Sequence, residues 1–445
     1  MKYYSTNGKA PIADLQKAVV KGLAEDRGLY MPERINKLPK AFFDNIQDMR
    51  FQDIAYNVAS AFFGEDVDLD ALQDLVYDTL PFDCPVVKVK DNIYTLELFH
   101  GPTLAFKDVG ARFMARLLQY FLRQNSATAK NGTVNVLVAT SGDTGSAVAN
   151  GFLGVDGIHV YVLYPKGKVS PIQECQFTTL GQNITAIEVD GVFDDCQALV
   201  KSAFMDEELN KHMMLTSANS INVARFLPQA FYYFNAYARM KQLGLADNLV
   251  MCVPSGNFGN ICSALFGHAM GLPVKRFIAA NNANDIFFKY LQTAKYEPKA
   301  SVQTLANAMD VGDPSNFARI INLYSQNGQL TEAETHTAIV SLISGATYSD
   351  EQIRETMRQC YEETGYILDP HGACGYQALV DGLLPGEVGV FCETAHPAKF
   401  KEKVDDILGI DVEIPERLAA FMKGEKQSVP MTKDFNDFKK FLLNE

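Results

Sequence analysis

Lys107 stands in the run Phe99-His100-Gly101-Pro102-Thr103-Leu104-Ala105-Phe106-Lys107-Asp108, where a Gly-Pro turn gives way to an apolar helical pattern. An amine in apolar company at a helix start is disfavoured as ammonium twice over: burial strips its hydration, and the positive end of the helix dipole repels it. Such a lysine is disposed to act as nucleophile or base. Asp108 is expected to oppose this by pairing with it, and a surface lysine paired to its neighbour is the plainer alternative. Two glycine turns, Ser141-Gly142-Asp143-Thr144-Gly145 and Gly256-Asn257-Phe258-Gly259-Asn260, each follow a short apolar run and open a helix. A helix start gathers N–H groups without partners and a dipole that favours negative charge, so the turn at 256–260 is suited to cradle a phosphate. A Gly-x-x-Gly turn after a strand is more often merely a tight connection. The chain has neither the Gly-x-x-x-x-Gly-Lys-Ser/Thr loop of nucleotide hydrolases nor a Gly-x-Gly-x-x-Gly dinucleotide turn, which points to an anion without a nucleotide.

Other candidates carry less. His371 in Asp369-Pro370-His371-Gly372 and His396 before Pro397 read as packed or capping histidines, with proton transfer as the alternative. His100, His212 and His268 show no metal-ligand spacing, so no metal is expected. The runs Tyr232-Tyr233-Phe234 and Phe287-Phe288 read as core.

These residues need elements to hold them. Tyr94, Leu96 and Leu98 alternate with Thr95 and Glu97, a strand signature, and Phe113, Leu117 and Phe121 then recur at helical spacing beyond Lys107. Continuous apolar runs at 134–139 and 249–253, each followed by a turn and a helix, imply parallel strands buried on both faces, with ligands at their carboxyl ends. Further strands are expected at 158–163 and 388–391. The fold class is therefore α/β: open, mostly parallel sheets with flanking helices in two lobes, plus an amino-terminal, mostly helical accessory region. The expected divisions are 1–92 for that region, 93–235 for the lobe with Lys107, 236–420 for the lobe with the glycine turn at 256, and 421–445 for a docking helix. The last rests on Phe435, Phe438, Phe441 and Leu442 at 3-to-4 spacing. A chain of 445 residues that is 47% hydrophobic has enough apolar surface for two or three units. Its net charge of −13 argues against binding a nucleic-acid backbone. Eight scattered cysteines without a Cys-x-x-Cys pair suggest reduced thiols. The amino terminus lacks a secretory pattern, and no stretch of about 18 uninterrupted apolar residues occurs. A cytoplasmic protein with no membrane partner is expected.

Together these segments resemble the fold-type II pyridoxal-phosphate enzymes and, more narrowly, the threonine synthases of bacteria and fungi. The broad features are a lysine after Phe106, the 141–145 turn and the glycine turn at 256–259. The narrower ones are Tyr3-Tyr4-Ser5-Thr6, Gly28-Leu29-Tyr30-Met31-Pro32-Glu33, Phe99-His100-Gly101-Pro102-Thr103, Asp313-Pro314-Ser315-Asn316-Phe317 and Thr394-Ala395-His396-Pro397-Ala398-Lys399-Phe400. They keep the family's order along the chain. The resemblance implies a tryptophan-synthase-β-like fold and pyridoxal 5′-phosphate as cofactor. It makes Lys107 the Schiff-base lysine, Gly256, Asn257, Phe258, Gly259 and Asn260 the phosphate cup, and Thr394 the partner of the pyridine nitrogen, with Glu393 as rival. Ser141, Gly142, Asp143 and Thr144 would bind the substrate's α-carboxylate. Asn222 is placed with the substrate, and Arg225 is the fork-shaped candidate for a second anion, ahead of Lys166 and Lys168, against a structural arginine paired to a carboxylate. Asp143 departs from the Asn common in related enzymes, and a carboxylate there would repel an anionic substrate unless protonated or turned away. The implied reaction converts O-phospho-L-homoserine and water to L-threonine and phosphate by γ-elimination and β-hydration, the last step of threonine biosynthesis. A monomer is expected. A sibling dehydratase or β-replacing synthase, and a catalytically silent cofactor-binding homologue, are the alternatives.

Overall fold

A computed structural model describes residues 1–124 and 132–444. Its strands in chain order are β1 (Tyr3–Ser5), β2 (Tyr30–Pro32), β3 (Val86–Lys90), β4 (Ile93–Glu97), β5 (Val134–Ala139), β6 (Ile158–Pro165), β7 (Ile184–Val189), β8 (Met214–Ser217), β9 (Leu249–Pro254), β10 (Arg276–Asn281), β11 (Ile343–Thr347), β12 (Val388–Glu393) and β13 (Val429–Met431). They make a six-stranded sheet in the order β11-β10-β9-β12-β4-β3 and a five-stranded sheet in the order β13-β7-β6-β5-β8. The pairing in both is parallel except for β3 with β4. Strands β1 and β2 form a separate antiparallel pair.

Parallel order follows from the apolar runs. Every residue of β5 and β9 is buried, because helices cover both faces of each sheet. β4 departs from the half-buried alternation its sequence suggests: Thr95 is as buried as its apolar neighbours. The strand lies between β12 and β3, and the Thr95 hydroxyl is satisfied by donating to Phe391 O at 3.2 Å.

Sheet membership does not follow a boundary at residue 93. β3 and β4 pair into the sheet of β9 and β12, so the chain lays down one edge of the second lobe before entering the first. The tail also crosses back. Before the helix Phe435–Asn444 docks through Phe438 and Leu442, β13 joins the five-stranded sheet beside β7. The amino-terminal helices Phe51–Phe63 and Leu69–Thr79 pack around the buried helix Ala230–Gln242 and the helix Lys107–Gln124 in one continuous core. Among the described residues, no helix is long and apolar enough to cross a membrane.

Candidate active site

β9, β12 and β4 are adjacent and parallel, so their carboxyl ends open at the same edge of the sheet. β9 leads into the glycine turn at 256–260, β12 into Thr394, and β4 into the loop that ends at Lys107. That loop is stitched to the segment after β12. Phe106 N–H donates to Thr394 O at 2.8 Å, His396 N–H donates to Leu104 O at 3.0 Å, and Ala105 bridges Ala395. Asp108 holds the loop from the helix side, accepting from Thr103 N at 2.9 Å and Thr103 Oγ1 at 2.5 Å. This corrects the expectation that Asp108 pairs with Lys107. Gly101 lies so close on Asp108 that a Cβ there would come within 2.5 Å of its Oδ2.

Lys107 begins the helix Lys107–Gln124 and donates from Nζ to Thr144 Oγ1 at 2.7 Å. Desolvation by burial pushes its pKa down to about 8; Asp143 opposes this, and Arg225 and Lys399 reinforce it. The 141–145 turn is braced by Thr140 Oγ1, which accepts from the N–H groups of Gly142 at 2.9 Å and Gly145 at 2.8 Å. Gly142 has φ +149, and a Cβ would strike the Gln173 amide at 2.6 Å, so glycine is required there. The N–H groups of Ser141, Asp143 and Thr144 meet no backbone acceptor among the described residues. Asp143 is ionised: burial favours its acid form, but the ammonium groups of Lys399 and Lys107 hold its pKa below the ordinary value.

In the second turn the N–H groups of residues 256–260 likewise meet no protein acceptor among the described residues. Their side chains are spent on bracing. Asn257 donates to Ser220 Oγ at 3.0 Å and accepts from Ser315 N at 2.7 Å, while Asn260 donates to Pro254 O at 2.8 Å. Gly256 and Gly259 allow close approach, since a Cβ would lie 2.7 Å from Met309 Cα or 2.9 Å from Ser220 Cβ. Phe258, at φ +66, holds a left-handed conformation before the helix Gly259–Ala269. Free N–H groups at a helix start form an anion cup. Together with a desolvated amine, this donor set fits a group that carries an aldehyde and a phosphate.

Two of the expected substrate residues are otherwise engaged. Asn222 is fully buried; its amide donates to Val19 O at 2.9 Å and Ser217 O at 3.1 Å and accepts from Ala224 N at 3.0 Å. Arg225 is buried behind the helix of Lys107, against Gly110, and its Nη1 donates to Ala218 O. It meets no carboxylate among the described residues, and its Nε has no partner. Glu393 is turned away from the loop of Lys107, toward Asp369 and Gly372: its Oε1 accepts from Asp369 N at 2.8 Å. Burial and the nearby Asp369 push its pKa well up. Its Oε2 has no hydrogen-bond partner among the described residues. Asp369 in turn accepts from His371 Nδ1 at 2.5 Å, and His371 Nε2 accepts from Ala308 N at 3.1 Å beside the phosphate turn. His396 is a cap, accepting from Ala398 N at 3.0 Å, with burial pushing its pKa down to about 4.

Two members of the site were not weighed from the sequence. Gln173 donates to Asp143 Oδ1 at 3.0 Å, and Lys399 Nζ lies 2.5 Å from the same oxygen. Lys399 was visible within the motif at 394–400, but no local pattern pairs it with residue 143.

The family described as Pyridoxal-phosphate dependent enzyme matches residues 85–393. Those described as Threonine synthase N terminus and Threonine synthase, C-terminal match residues 2–80 and 372–442. The curated threonine synthase of Serratia marcescens is 43% identical over 100% of this chain and 99% of its own. The crystal structure of threonine synthase from Escherichia coli superposes with a TM-score of 0.91 at 42% identity, covering 100% of both chains. A PLP-bound threonine synthase from Brucella melitensis superposes with a TM-score of 0.92 at 32% identity, covering 100% of this chain and 99% of that one. Likeness of this extent means that the chain belongs to the threonine synthases, within the fold-type II pyridoxal-phosphate enzymes.

Proposed function

We propose that this chain converts O-phospho-L-homoserine and water to L-threonine and phosphate. The observation that carries the reading is the desolvated amine of Lys107, its pKa near 8, hydrogen-bonded into one anion-ready turn while the strand order brings a second to the same sheet edge. Lys107 would hold the aldehyde carbon of pyridoxal phosphate, the N–H groups of residues 256–260 its phosphate, and Thr394 its ring nitrogen. When bound, the cofactor supplies an electron sink for negative charge on the substrate's α-carbon.

The chain's own residues do the rest. Lys107 Nζ, oriented by Thr144 Oγ1, can take up and return a proton near neutral pH and serves as the base for the α-proton. The N–H groups of Ser141, Asp143 and Thr144 receive the substrate's α-carboxylate. Glu393 is committed to Asp369, which supports a neutral hydroxyl at the ring nitrogen. Since Arg225 is committed behind the Lys107 helix, the exposed Lys166 and Lys168 in the turn after β6 are the better partners for the substrate's phosphate. A monomer is taken as the working unit. Eight free thiols, seven of them buried, support a reducing cytoplasm.

Borohydride reduction of the protein after incubation with pyridoxal phosphate should fix the cofactor on Lys107, located by peptide mass. O-Phospho-L-homoserine should release phosphate and yield threonine, and K107A should lower that rate by at least about a thousandfold. A cofactor fixed on another lysine, or turnover of threonine but not of O-phospho-L-homoserine, would overturn the reading.

A further inference from the structure

If the 141–145 turn receives a carboxylate, as the reading above has it, then Asp143 puts a negative charge where one is least welcome, and the present inference rests on that reading. The structure supplies the answer from the other lobe. Lys399 lies on the short helix Pro397–Phe400 that follows β12, and its Nζ reaches Asp143 Oδ1 at 2.5 Å. The two side chains are 0% and 6% exposed. A charge pair this deep persists only where its members are well satisfied. Lys399 also donates to Thr103 O at 2.8 Å, and Asp143 accepts from Gln173. The next residue along, Thr144, is the one that receives the hydrogen bond of Lys107. Removing Lys399 alone would therefore leave a bare buried carboxylate beside both the amine and the carboxylate-binding N–H groups. Removing both charges would leave a neutral turn.

We propose that Lys399, as the buried counter-ion of Asp143, makes the 141–145 turn electrically able to accept a substrate α-carboxylate. It acts through Asp143 and is a positioning residue. The pair also ties the segment after β12 to the turn after β5, so the charge that tunes binding holds the turn in place.

The test compares K399M, D143N and K399M/D143N in the cofactor-loaded enzyme. K399M should raise the KM for O-phospho-L-homoserine by about tenfold or more with a smaller change in kcat, as a like-charge contact demands. The double variant should recover most of that loss, to within about threefold of the parent. A readout independent of turnover is the pH midpoint of cofactor capture by the apo-protein, which should move up in K399M and return in the double variant. If K399M does not fold, the double variant decides alone, and a KM as high as the single-charge loss predicts would overturn the inference. A raised KM in K399M with an unmoved midpoint and no recovery would mark a packing defect and overturn it as well. The α-carboxamide of O-phospho-L-homoserine separates the two possible failures. A parent enzyme that binds acid and amide equally has no carboxylate site for Lys399 to serve, which overturns that reading and the inference with it, whereas a parent that prefers the acid and a K399M variant that keeps the same preference overturn the inference alone.

Discussion

Only an unprotonated amine condenses with an aldehyde, so the pKa of Lys107 sets the pH at which the apo-protein takes up its cofactor. Desolvation places that pKa at about 8 instead of 10.5. The capture rate should climb about tenfold per pH unit below 8 and level off above it. Stopped-flow absorbance at constant ionic strength measures this, and a midpoint near the ordinary lysine value would show that the amine is solvated. The same shift has a stability signature of definite sign. In the apo-protein the buried ammonium costs stability fully below pH 8, and the cost is relieved as pH rises from about 8 toward 10.5, because there the unfolded chain binds the extra proton. Lys107 and both turns were legible in the sequence because each sits at a local boundary between a strand pattern and a helix pattern. Lys399 was not, because its meaning depends on Asp143, a partner remote in sequence and supplied by the other lobe. Asp108 misled for the opposite reason: adjacency suggested a pair with Lys107, while the turn at Gly101 aims the carboxylate at Thr103.

Elements were legible in proportion to their apolar pattern. β5 and β9 are continuous buried runs, and the 3-to-4 spacing from Phe435 to Leu442 identifies the terminal helix without any tertiary information. β13 escapes such reading. It is three residues long with Pro430 at its centre, and only the edge of β7 makes it a strand. The helix after it closes a small core of its own, in which Phe438 is fully buried among residues that include Cys196, Leu199 and Leu209. F438A should therefore destabilise the protein by about 3–5 kcal/mol, the usual cost of emptying a buried phenylalanine site. Denaturant unfolding followed by fluorescence measures it, and cofactor capture by the folded variant should stay at the parent level. An unchanged unfolding midpoint would mean that the tail lies on the surface without supporting it.

At the scale of the whole molecule, three distant segments must agree for the phosphate turn to keep its shape, and Arg319 is where they meet. It is fully buried and pairs with no carboxylate among the described residues. Its fork donates to Tyr30 O at 3.0 Å, Ile221 O at 2.6 Å, Ser220 O at 3.2 Å and Asn316 Oδ1 at 2.8 Å, and its Cζ lies over the Phe226 ring, 4.0 Å from the centroid. The amino-terminal region, the loop after β8 and the segment after Met309 are thus fastened to one planar cation. Ser220 then accepts from Asn257 and lies against Gly259, so the fastening reaches the anion cup directly. Lysine keeps the charge but lacks the fork and the flat face, and it cannot serve four acceptors in three directions. R319K should leave buried carbonyls without donors, cost about 2–4 kcal/mol of stability, and weaken cofactor binding although the residue touches no cofactor. Equilibrium dialysis of pyridoxal phosphate beside urea unfolding of the apo-protein separates the two effects. If R319K unfolds early yet binds the cofactor as tightly as the parent, the amino-terminal region braces the fold without shaping the site. If both measurements shift together, the amino-terminal region at 2–80 is part of the cofactor cradle and not only a brace for the fold.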